Sequence, residues 1–507
     1  MKPILVFMLS VVLTSAFSNN VRVTNVSTIT TTTYTQVEFD LSWDNSWRIS
    51  AGPSNWDAVW VIIKYKTGGQ WRHLNLTGLN NAIGAGYTLT VPSDLKGAFI
   101  YRSADGTGNV TLTDLRLGVQ VIPGSFDIKM IGIEMVQVPG GDFYIGDGDG
   151  TLESTNSFHL GVNNGYVPIT SALRNNIRTD VNAYDDTQLE GISIGIDGDG
   201  GLDSNGDNII DNPDFPTGYQ SFYCMKYEIS QGAYRDFLNT LSYTQQVFAI
   251  SPDVPPPNSA IGTMAFQYGP SIEIATPGVA ISVPAVFGTD ADADNIFDET
   301  TDGEWQVMNE LSWQTLCAYL DWAALRPMTE LEFEKACRGP GLPIYGEYAW
   351  GNTNIFSTNY TLSNLGLSSE APSNASAVLG NALYSQTWAL YGPYTMIRNG
   401  GFANATTGRT QSGSAFYGAM EMSGTVWERA VTVGNVEGRS YTGIPGNGEL
   451  NSAGNADVNF WPGSGAGSGF RGGSFFNSAN ILSVSNRFLG AGSTPLAGDE
   501  FGGRGVR

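Results

Sequence analysis

Tyr417-Gly418-Ala419-Met420-Glu421-Met422-Ser423-Gly424-Thr425-Val426-Trp427-Glu428-Arg429 places two carboxylates, Glu421 and Glu428, in a stretch of mostly apolar and small residues. Downstream come Arg471-Gly472-Gly473-Ser474-Phe475 and the closing run Gly502-Gly503-Arg504-Gly505-Val506-Arg507. Upstream, the pattern turns helical three times. Ser230 caps a helix that carries Tyr234, Phe237, Leu238 and Leu241 on one face. Ser312 starts a second helix through Leu316, Leu320 and Ala323. Thr329-Glu330-Leu331-Glu332 is a capping box that opens a third, and Gly339-Pro340 stops it. Beyond residue 340 helical periodicity disappears, which predicts short strands and long loops.

Toward the N-terminus the pattern is that of strands. Phe222 to Glu228 reads as one, and Val136-Gln137-Val138-Pro139-Gly140-Gly141-Asp142-Phe143-Tyr144-Ile145-Gly146 reads as strand, turn, strand. A domain spanning 128–507 is expected from this, with acidic insertions near 147–220 and 251–303, the second filled by Pro- and Gly-rich loops. Residues 19–122 look all-β. Val59-Trp60-Val61-Ile62-Ile63-Lys64-Tyr65-Lys66 is rich in β-formers, and Gly68-Gly69 follows as a turn. Thr111-Leu112-Thr113-Asp114-Leu115-Arg116-Leu117 alternates polar and apolar. Turn signals about every ten residues predict a β-sandwich. Trp43, Trp47, Trp56, Trp60 and Trp71 crowd this region. Such residues fill a small sandwich core or stack on sugar rings.

The order of these segments resembles the formylglycine-generating enzyme, or sulfatase-modifying factor, family. The resemblance runs from Val136 to Arg507. It includes Met225-Lys226-Tyr227-Glu228-Ile229-Ser230, Leu311-Ser312-Trp313, Arg326-Pro327-Met328-Thr329, Tyr348-Ala349-Trp350-Gly351-Asn352 and the stretch around Glu421 and Glu428. The fold it implies is α+β: an irregular, C-type-lectin-related domain following the N-terminal all-β sandwich. The family's oxidase chemistry uses two cysteines shortly after the Arg-Gly-Gly-Ser motif, which bind copper as soft thiolate ligands. Those positions fall here on Asn477 and Leu482, and no cysteine follows Cys337. A related branch holds iron with three histidines, whereas this chain has only His73 and His159. Neither copper nor iron is therefore expected. The resemblance also implies a Ca2+ site formed by the Glu421 and Glu428 side chains and the Gly424 and Val426 carbonyls, which are hard oxygen donors. Thr425 stands where the family usually has Asn.

Two acidic loops repeat one pattern. Asp203-Ser204-Asn205-Gly206-Asp207-Asn208-Ile209-Ile210-Asp211 and Asp290-Ala291-Asp292-Ala293-Asp294-Asn295-Ile296-Phe297-Asp298 align without gaps. The oxygen-bearing side chains are Asp203, Asn205, Asp207 and Asp211 in the first, and Asp290, Asp292, Asp294 and Asp298 in the second. Alternate residues converging on one cation is the logic of EF-hand-like and thrombospondin-type-3 calcium loops. A solvated acidic insertion is the other reading.

Hydrophobic residues make up 41% of the 507, enough for a sizeable core, and the 63 glycines with only 14% charged residues suit a loop-rich extracellular protein. A formal charge of −23 repels phosphate backbones and excludes nucleic acid as a partner. Lys2, the apolar run Ile4 to Leu13 and Ala16-Phe17-Ser18 read as a signal peptide over residues 1–18, so the protein is expected to be secreted or periplasmic. No later stretch is apolar for long enough to span a membrane. Cys224, Cys317 and Cys337 sit in apolar-periodic segments and read as buried hydrophobes rather than a disulfide framework. The function expected is that of a secreted, non-catalytic, calcium-stabilised module that binds a glycan, a protein or an envelope component. The alternative is an enzyme of unknown chemistry in the same cleft, for which the Glu330 and Glu334 pair is an acid–base candidate.

Overall fold

The structure is a computed structural model and describes residues 16–17, 20–31, 34–122, 124, 126–148, 157–158, 166–170, 202, 210–250, 272–279, 282–387, 396–491 and 497–507. The β-rich N-terminal sequence forms β1 (Ala16–Phe17), β2 (Val21–Thr30), β3 (Thr35–Arg48) and β8 (Gly106–Val119), paired in that order as a four-stranded sheet. Ala16 and Phe17 pair with Arg22 and Val21. The rest of the expected signal segment, residues 1–15 and 18, lies outside the described residues.

A second sheet of eight strands organises the molecule. It takes β4 (Asp57–Thr67), β5 (Gln70–His73), β6 (Tyr87–Thr90), β7 (Ala98–Arg102), β9 (Asp127–Val138), β12 (Phe222–Met225), β15 (Arg326–Pro327) and β21 (Gly505–Val506). The order is β15-β21-β12-β9-β4-β7-β6, with β5 beside β4. The boundary expected between 122 and 128 falls between β8 and β9, and this sheet runs straight through it. β4 pairs with β9 antiparallel from Asp57↔Val136 to Lys66↔Asp127.

Because side chains alternate along a strand, β4 serves two cores at once. Val59, Val61 and Ile63 face the four-stranded sheet and join Val23, Val37, Phe39 and Leu117. Ala58, Trp60 and Ile62 face the other way, into a core with Ile131, Ile133 and Met135 of β9 and many helical residues. Gly132 sits opposite Val61 on the first face. A Cβ there would come within 2.9 Å of Val21 and 3.2 Å of Val59, so glycine lets the two sheets approach.

The helices α1 (Gln231–Leu238), α3 (Trp313–Trp322) and α4 (Glu330–Arg338) start at the predicted caps. Ser230, Ser312 and Thr329 each accept from the amide three residues on, and Glu332 returns to the Thr329 amide. Gly339 ends α4 with φ +73°. Three expectations are corrected. The strand at Phe222 stops at Met225 rather than Glu228, and α2 (Tyr243–Ile250) follows α1 where no helix was read. The 251–303 segment is not all loop: β13 (Ile272–Thr276) pairs with β14 (Val286–Thr289). The remaining elements are short. β10 (Phe143–Gly146) pairs with β11 (Tyr166–Ile169), and β16 (Leu362–Ser363) with β17 (Ala371–Pro372). β18 (Trp427–Val431) lies between β19 (Ser468–Arg471) and β20 (Phe501–Gly502), and α5 (Arg409–Ser412) and α6 (Val436–Arg439) complete the chain. The whole is α+β with strands predominating.

Candidate functional site

The turn before β18 gathers buried acid. Glu421, Gly424 and Thr425 adopt left-handed φ of 57°, 91° and 70°, which folds the backbone tightly ahead of the strand. A side chain at Gly424 would meet the Leu383 carbonyl at 2.6 Å. Glu421 and Glu428 are both buried, and Glu228, just beyond β12, is buried with them. Arg504, between β20 and β21, grips Glu428 with Nε at 2.8 Å from Oε2 and a terminal nitrogen 2.7 Å from Oε1. It spends its other donors on the Met225, Lys226 and Met420 carbonyls.

Arg504 is thus the cation paired directly with this acidic group, and Arg398 adds attraction at Glu421. Glu421 Oε1 accepts from the Gly400 amide at 2.8 Å, but its Oε2 is buried without a partner. The Val426 amide faces Glu228, yet neither Glu228 oxygen makes a hydrogen bond of ordinary geometry. Burial, opposed by Arg504 and the Gly400 amide, pushes the Glu421 carboxyl up to about 7. Burial and the neighbouring Glu428 hold Glu228 well above the usual carboxylate range. Orphaned carboxylate oxygens in a dry site favour a proton or a bound cation. Glu421 Oε2 and the two Glu228 oxygens are thus open to a proton or a hard cation, whereas both Glu428 oxygens already face Arg504.

The positions that the resemblance assigns to catalytic cysteines hold other work. Asn477 Oδ1 accepts from the Ser474 amide at 2.7 Å and lies 2.8 Å from the Ser474 hydroxyl, which also meets Glu500. Leu482 is buried against Tyr348, Trp350, Ala382 and Tyr384. The three cysteines are free and buried elsewhere. Burial pushes the Cys224 thiol up to about 12, and raises Cys317 and Cys337 as well, which leaves all three as protonated, inert thiols.

Helix α4 shows what Glu330 and Glu334 do. Arg487 binds Glu330 at 2.6 and 2.9 Å, and Thr432 and the Val433 amide complete its contacts. Burial opposes ionisation of Glu330, but the Arg487 and Arg471 guanidiniums outweigh it and hold the carboxyl below its usual value. Glu334 is held by Arg471, Arg338 and the Gly146 amide, and Glu332 pairs with Arg326 through both oxygens. Each of these carboxylates is buried and ion-paired, and so clamps α4 to a neighbouring segment.

The family model of the sulfatase-modifying factor enzyme 1-like domain matches residues 190–507. The chain belongs to this family. No curated protein matches it. The matched span of the sulfatase-modifying factor family includes α1, α3, α4, the Glu421 turn and the Ser474 loop, and begins after the Val136–Gly146 segment that the sequence also likened to the family.

Within the family domain the second acidic loop is described and the first is mostly not. Asp203, Asn205 and Asp207 lie outside the described residues. Asp211 is exposed, and its amide donates to Leu202 O at 2.9 Å. In the second loop, Asp290, Asp292 and Asp294 bring one ligand oxygen each within 4.8 Å of one another. Asp298 departs from the expected set. Its Oδ1 is taken by Arg235 at 2.7 Å and by the Thr289 amide at 3.0 Å.

A cleft of about 1300 Å3 opens where the β4–β5 hairpin faces α1, α2 and β14. Its wall carries the half-buried Trp71, with Lys66 Nζ 5.8 Å from the ring centre, and the pairs Arg235–Glu304 and Lys129–Asp236. Of the five N-terminal tryptophans, Trp43 and Trp60 are core residues, while Trp47, Trp56 and Trp71 are half-buried. His73 is buried beside this cleft. Lys64 Nζ lies 3.3 Å from its Nδ1, and its Nε2 lies 2.8 Å from the Lys96 carbonyl. That pattern assigns the neutral, Nε2-protonated tautomer. Burial, with Lys64 and Lys96 nearby, holds its pKa well below the usual value. His159 lies outside the described residues. Among the described residues no helix is long and apolar enough to cross a membrane.

Proposed function

We propose that this chain is an exported, non-catalytic member of the sulfatase-modifying factor family, stabilised by Ca2+, which binds a glycan, a protein or an envelope component. The observation that carries the reading is the pair Asn477 and Leu482. One is consumed in holding the Ser474 turn and the other is packed as core. Neither supplies the soft, ionisable sulfur that copper-dependent oxidation of a thiol requires. The N-terminal layers are read as a β-sandwich and the family domain as lectin-related, which suits a binding role. The cleft beside Trp71 joins an aromatic face to paired charges, a lining that favours a polyhydroxylated ligand. Calcium, held at Glu421 and Glu428 with the Gly424 and Val426 carbonyls, would neutralise buried charge there and do no chemistry.

The test is incubation of the purified chain with a sulfatase-type cysteine peptide, Cu(I) and oxygen. After reduction of any disulfide that copper and oxygen form on their own, the peptide mass is expected to stay unchanged. Conversion of the cysteine to formylglycine would overturn the reading.

A further inference from the structure

Charge along the wall of the large cleft is met on one side and not on the other. On the α1 side, Arg235 pairs with Asp236, Asp298 and Glu304, and Lys129 pairs with Asp236. Glu449 Oε1 accepts from the His73 amide at 2.6 Å, and the Lys64 ammonium attracts it. The tip of the β4–β5 hairpin differs. Lys66 and Arg72 line the cleft there, and neither has a carboxylate within ion-pair reach among the described residues. Arg72 donates to Gln70 Oε1 at 3.3 Å. Asp127 is the β9 neighbour of Lys66 in register, yet Lys66 turns its ammonium to the Trp71 ring, 5.8 Å from the centre. Local sequence dictates this pair. Gly68 and Gly69, with φ of 57° and 82°, close the hairpin and set Lys66 opposite Trp71, so the two side chains share a face.

We propose that the cleft takes an acidic oligosaccharide, with one sugar ring laid on Trp71 and its carboxylate or sulfate held by Lys66 and Arg72. This rests on the reading of the cleft as a site for a polyhydroxylated ligand. An indole offers a flat apolar face to the C–H side of a sugar ring. The cations beside it separate an acidic ring from a neutral one, because they gain a charge-assisted hydrogen bond only from the former. On the facing wall, Thr244 of α2 presents a hydroxyl to the ligand's own hydroxyls. The volume of about 1300 Å3 exceeds the roughly 300–1,000 Å3 of a small-molecule pocket, which suits several linked rings. The chain's formal charge of −23 opposes any anion at long range. Exposed charges more than about 8 Å away are largely screened at physiological salt, so the two cations in contact decide.

The experiment is calorimetric titration of the full chain with a galacturonate hexamer and with its methyl ester, which keeps the rings and removes the charge. The acid is expected to bind about tenfold tighter, the size of one charge-assisted hydrogen bond. Lys66→Gln is expected to bring the acid down to the level of the ester, and Trp71→Ala to lose both. Arg72→Gln, at an exposed position, lowers the acid-to-ester ratio even if the other two variants disturb folding by circular dichroism. A sulfated neutral hexamer that binds tighter than the galacturonate, with the same dependence on Lys66 and Arg72, would identify the anion as a sulfate ester. Equal binding of acid and ester overturns the inference and leaves the polyhydroxylated ligand standing. Acid binding that none of the three variants weakens also overturns it. Binding of no hexamer removes both the inference and the cleft as a glycan site.

Discussion

Glu310 and Asp499 form a carboxyl pair at the entry to α3. Burial and the Asp499 side chain push the Glu310 carboxyl up to about 8. The folded chain thus holds a proton that the unfolded chain releases at lower pH. Stability from this pair is complete below the ordinary Glu range, near 4.5, and is lost as pH rises to about 8. Glu310→Gln, which donates to Asp499 at every pH, is expected to flatten that fall. Denaturant unfolding of both chains at about pH 5 and about pH 8.5 reads it, and equal pH slopes would remove the shared proton. The same scale shows where reading the sequence ran out. Glu421 and Glu428 were legible because they share one motif. Glu228 and Arg504 were not assigned to them, because they reach the site from distant segments and nothing local marks the meeting. Asp298, inside the repeated pattern, finds Arg235 from α1 instead, a partner that nothing local marks.

Among elements, the capped helices were the most legible. Ser230, Ser312 and the Thr329–Glu332 box are local chemistry, and each forms as read. Helix α2 was hidden because the proline- and glycine-rich stretch after it dominates the pattern. Gly132 shows what periodicity leaves out: a glycine inside a strand reads as a weakness, yet here it sets the spacing of two layers. Gly132→Val raises strand propensity and should still destabilise the chain, by about 1–3 kcal/mol, because the added methyls overpack Val21 and Val59. Thermal unfolding checks the sign. A variant as stable as the parent would mean that the four-stranded sheet shifts freely on its neighbour.

For the whole molecule, the division near residue 122 matters less than the sheet that spans it. Trp60 Nε1 donates to the Ala323 carbonyl at 3.0 Å, Lys64 Nζ to the Trp322 and Gly448 carbonyls at 2.6 Å each, and Asn55 Nδ2 to the Tyr417 carbonyl at 2.8 Å. The fragment 128–507 would lose β4 from beside β9, opening that edge, and would lose the four-stranded sheet that covers Ile128 and Met130. It is expected to aggregate or bind a hydrophobic dye when made alone, and a monomeric, cooperatively melting fragment would contradict that. The pairing of β21 has a consequence in time. Val506 is the partner of both Cys224 and Arg326. A ribosome delivers β12 and β15 long before β21, so β15 has no place at that edge of the sheet until the chain has reached Val506. Until then β12 keeps one edge open, and that edge can pair with another copy of the chain.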